Sequence, residues 1–243
     1  MKNGNVIGFV SVKGGVGKTT LAIETASSLA NDFDKDVLLI DANFSAPNID
    51  LYLDLTKSWN FYSKDNAKEN YLHHALGDLR KTHSAIYEAH GFDVMPTHLY
   101  YIDSEQEEDV YKLKRITDKL RDRYDFIIVD SSPHYSEMIP VVAACDRIFV
   151  VSTPDFVTLK TSLKSALIAK QNKTPIEGMI VNRIRNLRYE MSLKDIEQMS
   201  EKEGDIKVMA RINDDENISK AMKKKKPVGV HIPKSDISKE VRN

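Results

Sequence analysis

Cysteine is almost missing from this chain: Cys145 stands alone among 243 residues. A single cysteine excludes an intrachain disulfide framework and any zinc or iron–sulfur site built from cysteines of one chain. Long hydrophobic runs are missing too, since no apolar stretch approaches the ~18 residues needed to cross a bilayer. Neither sign of charge is in excess. Lys plus Arg number 35 and Asp plus Glu 36, a formal charge of −1 that excludes a wholesale nucleic-acid coat but permits a local basic patch. Glycine and proline are sparse, at 10 and 8 residues, and no Gly/Ser- or Pro-rich linker divides the chain. Lys2 leads directly into a strand-like run with no apolar leader and no small-residue cleavage site, so cytoplasmic residence is expected.

What is present is an alternation. Short runs rich in Val, Ile and Phe predict strands at Val6–Val12, Val37–Ile40, Phe92–Met95, Phe126–Val129, Arg147–Val151, Met179–Val181 and Ile206–Met209. Between them lie stripes of helical period. Leu21, Ala22, Thr25, Ala26 and Leu29 form one; Val110, Leu113, Ile116 and Leu120 form another, preceded by acidic 105–109 and closed by Arg121 and Arg123 to suit the helix dipole. Leu159, Leu163, Ala166 and Leu167 make a third, entered through Pro154. Ser192 and Asp195 read as a capping box ahead of Leu193, Ile196 and Met199. Strands alternating with helices predict one α/β domain over 1–243. Its doubly wound, mostly parallel sheet should have about seven or eight strands, with helices on both faces. The polar stretch 56–69, around Trp59, Phe61 and Tyr62, reads as a surface excursion, its aromatics serving a partner or packing under their own loop.

The strongest chemical signal is Lys13-Gly14-Gly15-Val16-Gly17-Lys18-Thr19-Thr20, between the first strand and the first helix. Glycines let successive N–H groups converge on phosphate oxygens at a helix N-terminus. Lys18 is placed to reach the β- and γ-phosphates, Thr19 to coordinate Mg²⁺, and Thr20 to donate to the α-phosphate. The common phosphate-loop pattern has glycine five residues before Gly17, where Val12 stands, and a second lysine, Lys13, opens the loop instead. Asp130, closing an apolar strand, suits a water-mediated Mg²⁺ contact.

With these features the sequence resembles the deviant Walker A ATPases of the MinD/ParA family. Val37–Asp41 and the following Ala42–Asp50 look like the family's switch I, and Phe126–Pro133 like its Walker B strand and switch II. Val151–Pro154 and Val181–Arg183 look like its later connections, so the likeness runs from about residue 5 to about residue 228. The resemblance implies an ATPase that binds ATP/ADP with Mg²⁺ and forms a homodimer when ATP is bound. Lys13 would reach the partner's nucleotide, Asp41 would stand near Mg²⁺ and the attacking water, and Asn182 would hydrogen-bond adenine. Many relatives carry Asp-x-Asp in switch I; here the triplet is Asp41-Ala42-Asn43, and a neutral amide at Asn43 predicts slow hydrolysis.

The implied function is a MinD-like, nucleotide-gated dimerisation switch in spatial positioning, acting through an unidentified protein partner or activator. The alternative is a ParA-like partitioning ATPase binding DNA nonspecifically through Lys220 and Lys223–Lys226, aided by Arg183, Arg185 and Arg188. The same lysines also read as the charged end of a helix. A metabolic amidoligase or kinase on this fold ranks third, for want of a substrate constellation. The last residues offer only Ile237 and Val241 as apolar side chains. Direct membrane binding by this chain is therefore not expected, and binding by a longer parent form stays open.

Overall fold

Strands drawn from the whole chain join one eight-stranded sheet in the order β3-β4-β2-β5-β1-β6-β7-β8. The computed structural model describes residues 2–55, 70–99 and 110–242. The surface excursion 56–69 and the acidic run 105–109 fall outside the described residues. The strands are β1 Asn5–Val10, β2 Val37–Ala42, β3 Tyr87–Ala89, β4 Phe92–Met95, β5 Phe126–Ser131, β6 Arg147–Ser152, β7 Ile176–Ile184 and β8 Val208–Asn213. All neighbours run parallel except β3 and β4. The helices are α1 Lys18–Asn31, α2 Ile49–Leu53, α3 Leu72–Gly77, α4 Lys112–Leu120, α5 Tyr135–Ala144, α6 Phe156–Gln171, α7 Leu193–Met199, α8 Asn217–Lys223, α9 Val228–His231 and α10 Asp236–Arg242.

Two apolar layers cover the two faces of the sheet. Leu38, Ile40, Ile127, Val129 and Ile148 pack on one side with α4, α5 and α6. Phe9, Leu39, Val94 and Ile128 pack on the other with α1 and the C-terminal helices. Because successive strand residues face opposite ways, neighbours such as Ile127 and Ile128 serve different layers, and both are fully buried.

Four expectations needed correcting. β3 carries no apolar alternation and was not among the expected strands. It exists because His90 and Gly91 both take positive φ, 54° and 89°, the mirror-image turn that matches strand twist. Asn31 at the end of α1 donates to the His90 carbonyl at 3.0 Å and braces that turn. The last strand lies at 208–213 rather than 206–209: as an edge strand it is covered unevenly, so exposed Arg211 and Asn213 are tolerated on either side of buried Ile212. Leu167 was expected on the buried stripe of α6 but is 55% exposed, and its neighbours Ala166 and Ile168 are buried instead, with Leu159 and Leu163. Arg121 does more than suit the α4 dipole, since it forks onto Asp146 at 2.6 and 2.9 Å. Of the expected Ser192–Asp195 capping box only one half forms: Asp195 N–H donates to Ser192 Oγ at 3.1 Å, while the Asp195 carboxylate takes the Ser192 hydroxyl rather than its backbone N–H.

The C-terminal helices are tied to α1 by one buried carboxylate. Glu24 accepts from Val228 N–H at 2.7 Å and Gly229 N–H at 3.0 Å. Burial pushes its carboxyl above the usual glutamate range, and the two N–H groups only partly offset that. The native state thus binds a proton that the unfolded chain has released, so Glu24 removes stability as pH rises above its ordinary value of 4.5. Glu24→Gln should make this contribution independent of pH. Wild type is expected to gain on the variant in unfolding midpoint as pH falls toward 4.5, and a constant difference across the titration would refute the assignment.

Candidate functional site

The registers of three adjacent strands set the site. Phe9 of β1 stands beside Asp130 of β5, and Asp130 beside Asp41 of β2. The carboxyl ends of all three strands therefore meet at one edge, and the chain leaving β1 becomes the glycine loop 13–17 that opens α1. Gly15 and Gly17 have φ of 77° and 98°, left-handed values that β-carbon-bearing residues resist. A Cβ at Gly17 would also come within 2.2 Å of Asn182 Nδ2, so glycine is required there twice over.

Serines of α6 hold the entry to the loop. Ser165 Oγ accepts from Val12 N–H at 3.0 Å, and Ser162 Oγ lies 3.0 Å from Ser11 Oγ. Lys18 is buried, with Nζ donating to the Lys13 carbonyl at 3.3 Å. Burial pulls its pKa down while the Asp130 carboxylate opposes the shift. Lys13 by contrast is exposed, near enough to Asp155 for its charge to help hold that carboxyl down.

Asp130 is completely buried and accepts from Thr19 Oγ1 at 2.6 Å. Its other oxygen, Oδ1, is buried and meets no hydrogen-bond donor. Burial raises its pKa, against the Thr19 hydroxyl and Lys18, which lower it. An unsatisfied carboxylate oxygen beside a threonine hydroxyl is a hard-oxygen pair that fits Mg²⁺ arriving with phosphate. Among the described residues no group of three or more His, Cys, Asp or Glu side chains is placed to hold a metal. The protein thus offers a partial shell, which suits an ion whose remaining ligands are substrate oxygens and water.

Asp41 is equally buried, and its pKa is raised by burial first and by Asp130 second. Its carboxylate accepts three backbone N–H groups, from Asn43 at 3.1 Å, Asn48 at 3.0 Å and Ile49 at 3.1 Å. Asp41 therefore shapes the switch I loop and caps the start of α2. The Asn43 side chain closes on Ala46, donating to its carbonyl at 2.9 Å and accepting from its N–H at 3.3 Å. Glu137 of α5 accepts from Ser45 N–H at 3.0 Å and also takes the Ser45 hydroxyl, so the loop after β2 is tied to the helix that follows 126–133.

Asn182 and Arg183, at the end of β7, both reach the loop: Asn182 Nδ2 donates to the Val16 carbonyl at 2.8 Å and Arg183 Nη1 to the Gly15 carbonyl at 3.2 Å. Thr20 lines a small open cavity of about 20 Å³ with Glu24, Tyr52 and Lys226. Of the basic residues, Lys220 pairs with Glu216 and Lys225 with Asp54, while Arg183 and Arg185 pair with Asp214. Ser162, Ser165 and Glu137 were not anticipated. Their only sequence signal is small or acidic residues at helical spacing among apolar ones.

A doubly wound parallel sheet whose central strand feeds a two-lysine glycine loop, with an aspartate ending the next strand, defines a P-loop ATPase. Residues 4–173 match the AAA domain family. The chain is 29% identical to an uncharacterized ATP-binding protein of Methanocaldococcus jannaschii over 225 residues, 92% of this chain and 80% of that one. It is 26% identical to the septum site-determining protein MinD of Bacillus subtilis over 252 residues, covering 99% and 87% of the two chains. In fold it matches MinD of Pyrococcus horikoshii complexed with Mg-ADP, with a TM-score of 0.81 over 98% of this chain and 93% of that one, at 21% identity. The chain belongs to the MinD/ParA family of ATPases. Among the described residues no helix is long and apolar enough to cross a membrane.

Asp130→Asn tests the magnesium pairing. The substitution is expected to weaken ATP binding by about tenfold or more with Mg²⁺ present, the scale of a lost charged contact, and to change it little in EDTA. Equal losses in both titrations would make Asp130 a structural residue.

Proposed function

We propose that this chain is a MinD-like switch: Mg²⁺–ATP drives two copies together through the face that carries Lys13, and slow hydrolysis separates them. The supporting observation is the split of the two loop lysines. Lys18 is buried within its own loop, whereas Lys13 is exposed beside Asp155. Exposed Tyr135, Phe156 and Val157, at 57%, 54% and 65%, begin the helices that follow switch II and β6, so the same edge carries apolar surface for a partner. Pro133 of switch II lies 4.0 Å from where a Cβ on Gly14 would stand, so a γ-phosphate in the loop would press on that segment.

The switch I geometry supports slow turnover. Both Asp41 oxygens are taken by backbone N–H groups, and both ends of the Asn43 amide are taken by Ala46. Asn43 has no carboxylate to offer an attacking water, the three N–H groups on Asp41 compete with one there, and general-base help is worth about 10²–10⁴-fold. The partitioning alternative draws less support, because Lys220, Lys225, Arg183 and Arg185 already engage carboxylates of their own chain.

Light scattering with Mg²⁺–ATP should show a doubled mass, and with ADP a monomer. Lys13→Ala should bind nucleotide yet remain monomeric; a variant that dimerises normally would defeat the cross-subunit role. In steady-state assays, wild type should hydrolyse slowly and Asn43→Asp faster. Brisk wild-type turnover that Asn43→Asp leaves unchanged would give residue 43 no part in the chemistry.

A further inference from the structure

The end of β7 departs from regular strand geometry at one residue. Arg183 lies within the strand at φ 59°, where the pairing with β8 slips between Val181 and Ile184. A left-handed conformation costs a residue with a Cβ about 1–2 kcal/mol, so an arginine here needs a reason. Bulges re-aim side chains, and this one does so. Consecutive strand residues normally point to opposite faces, yet Asn182 and Arg183 both end on the glycine loop, at the carbonyls of Val16 and Gly15 respectively. The guanidinium is held from behind: Arg183 Nε lies 3.5 Å from Asp214 Oδ1, and Asp214 is itself fixed by its N–H on the Ile184 carbonyl and by Arg185 at 2.7 Å.

A trans peptide sets its C=O and the following N–H in opposite directions. Drawing the Gly15 carbonyl toward β7 therefore turns the Val16 N–H the other way, and drawing the Val16 carbonyl does the same for the Gly17 N–H. These two N–H groups belong to the concave run that receives phosphate oxygens. We propose that Arg183 is a positioning residue for nucleotide binding, spending its backbone strain to hold the Gly15–Val16 peptide in the phosphate-accepting orientation, with Asn182 holding the next peptide. This rests on reading the chain as a nucleotide switch and adds to it a residue that acts through the loop backbone. It also gives Asn182 a task in the loop backbone besides any contact with the base.

Arg183→Asn separates guanidinium from backbone, since asparagine accepts left-handed φ more readily than most residues but is too short to reach Gly15. Calorimetric titration with Mg-ADP should show affinity reduced about tenfold, the worth of one charged hydrogen bond, while the nucleotide-free unfolding midpoint stays near that of wild type. Arg183→Gly should behave alike, and Arg183→Lys should recover part of the loss. In nitrogen–proton spectra of the nucleotide-free protein, the Val16 amide should shift in Arg183→Asn and Arg183→Gly. Wild-type affinity in either variant, or an unmoved Val16 amide, would overturn the proposal. Wild type that fails to bind Mg-ADP would instead remove the nucleotide reading, and the Val16 shift would still decide whether Arg183 orients the peptide.

Discussion

Two carboxylates and an ammonium are buried next to one another where β2, β5 and β1 end, and much of the surrounding structure serves to make that tolerable. Asp41 and Asp130 are register partners with no exposed surface; burial raises the pKa of both, and Asp130 adds to the rise at Asp41. Such groups persist only when they are hydrogen-bonded or await a countercharge. Asp41 takes the first course, surrounded by N–H groups of its own loop. Asp130 takes the second, with one oxygen on Thr19 and the other facing no donor. Like charges that one sequence separates by 89 positions are made neighbours by strand order alone. On the proposed reading, a nucleotide carrying Mg²⁺ would relieve this frustration, and the relief would be available to rearrange the segments that Ser45 and Glu137 join.

The sequence made the centre of the molecule legible and its margins less so. Strands buried on both faces are continuous apolar runs, and those of β1, β2, β4, β5 and β6 were readable to within a few residues. The glycine loop was readable because each of its residues answers a steric or chemical demand that is local in the chain. β3 was not, because a three-residue strand formed by a His90–Gly91 turn and braced by Asn31 depends on contacts between distant segments. The same holds within the site. That Lys18, Thr19 and Asp130 would come together could be read from spacing and strand position, whereas the inward turn of Arg183, the serines of α6 and the grip of Glu24 on residues 228 and 229 follow from tertiary geometry. Asp41 lies between these cases, since its position was expected but its three N–H partners were not.

The lysines near the C-terminus show how a dense motif can be dispersed by folding. Lys225 occupies the left-handed position after α8 that glycine usually fills, and the N–H groups of Lys225 and Lys226 return to the carbonyls of Met222 and Ala221. The run is thus a helix terminator whose charges diverge, Lys225 toward Asp54 at the end of α2 and Lys226 toward the cavity beside Thr20.

The closeness of Gly17 to Asn182 ties the history of two positions far apart in the chain. Any side chain at 17 strikes the amide at 182, and a bulkier residue at 182 would push into the loop backbone, so each blocks change at the other. Drift at the end of β7 is therefore confined to side chains no larger than asparagine that can still engage the Val16 carbonyl. Descendants of this sequence should explore the neighbouring surface freely while these two sites change together or not at all.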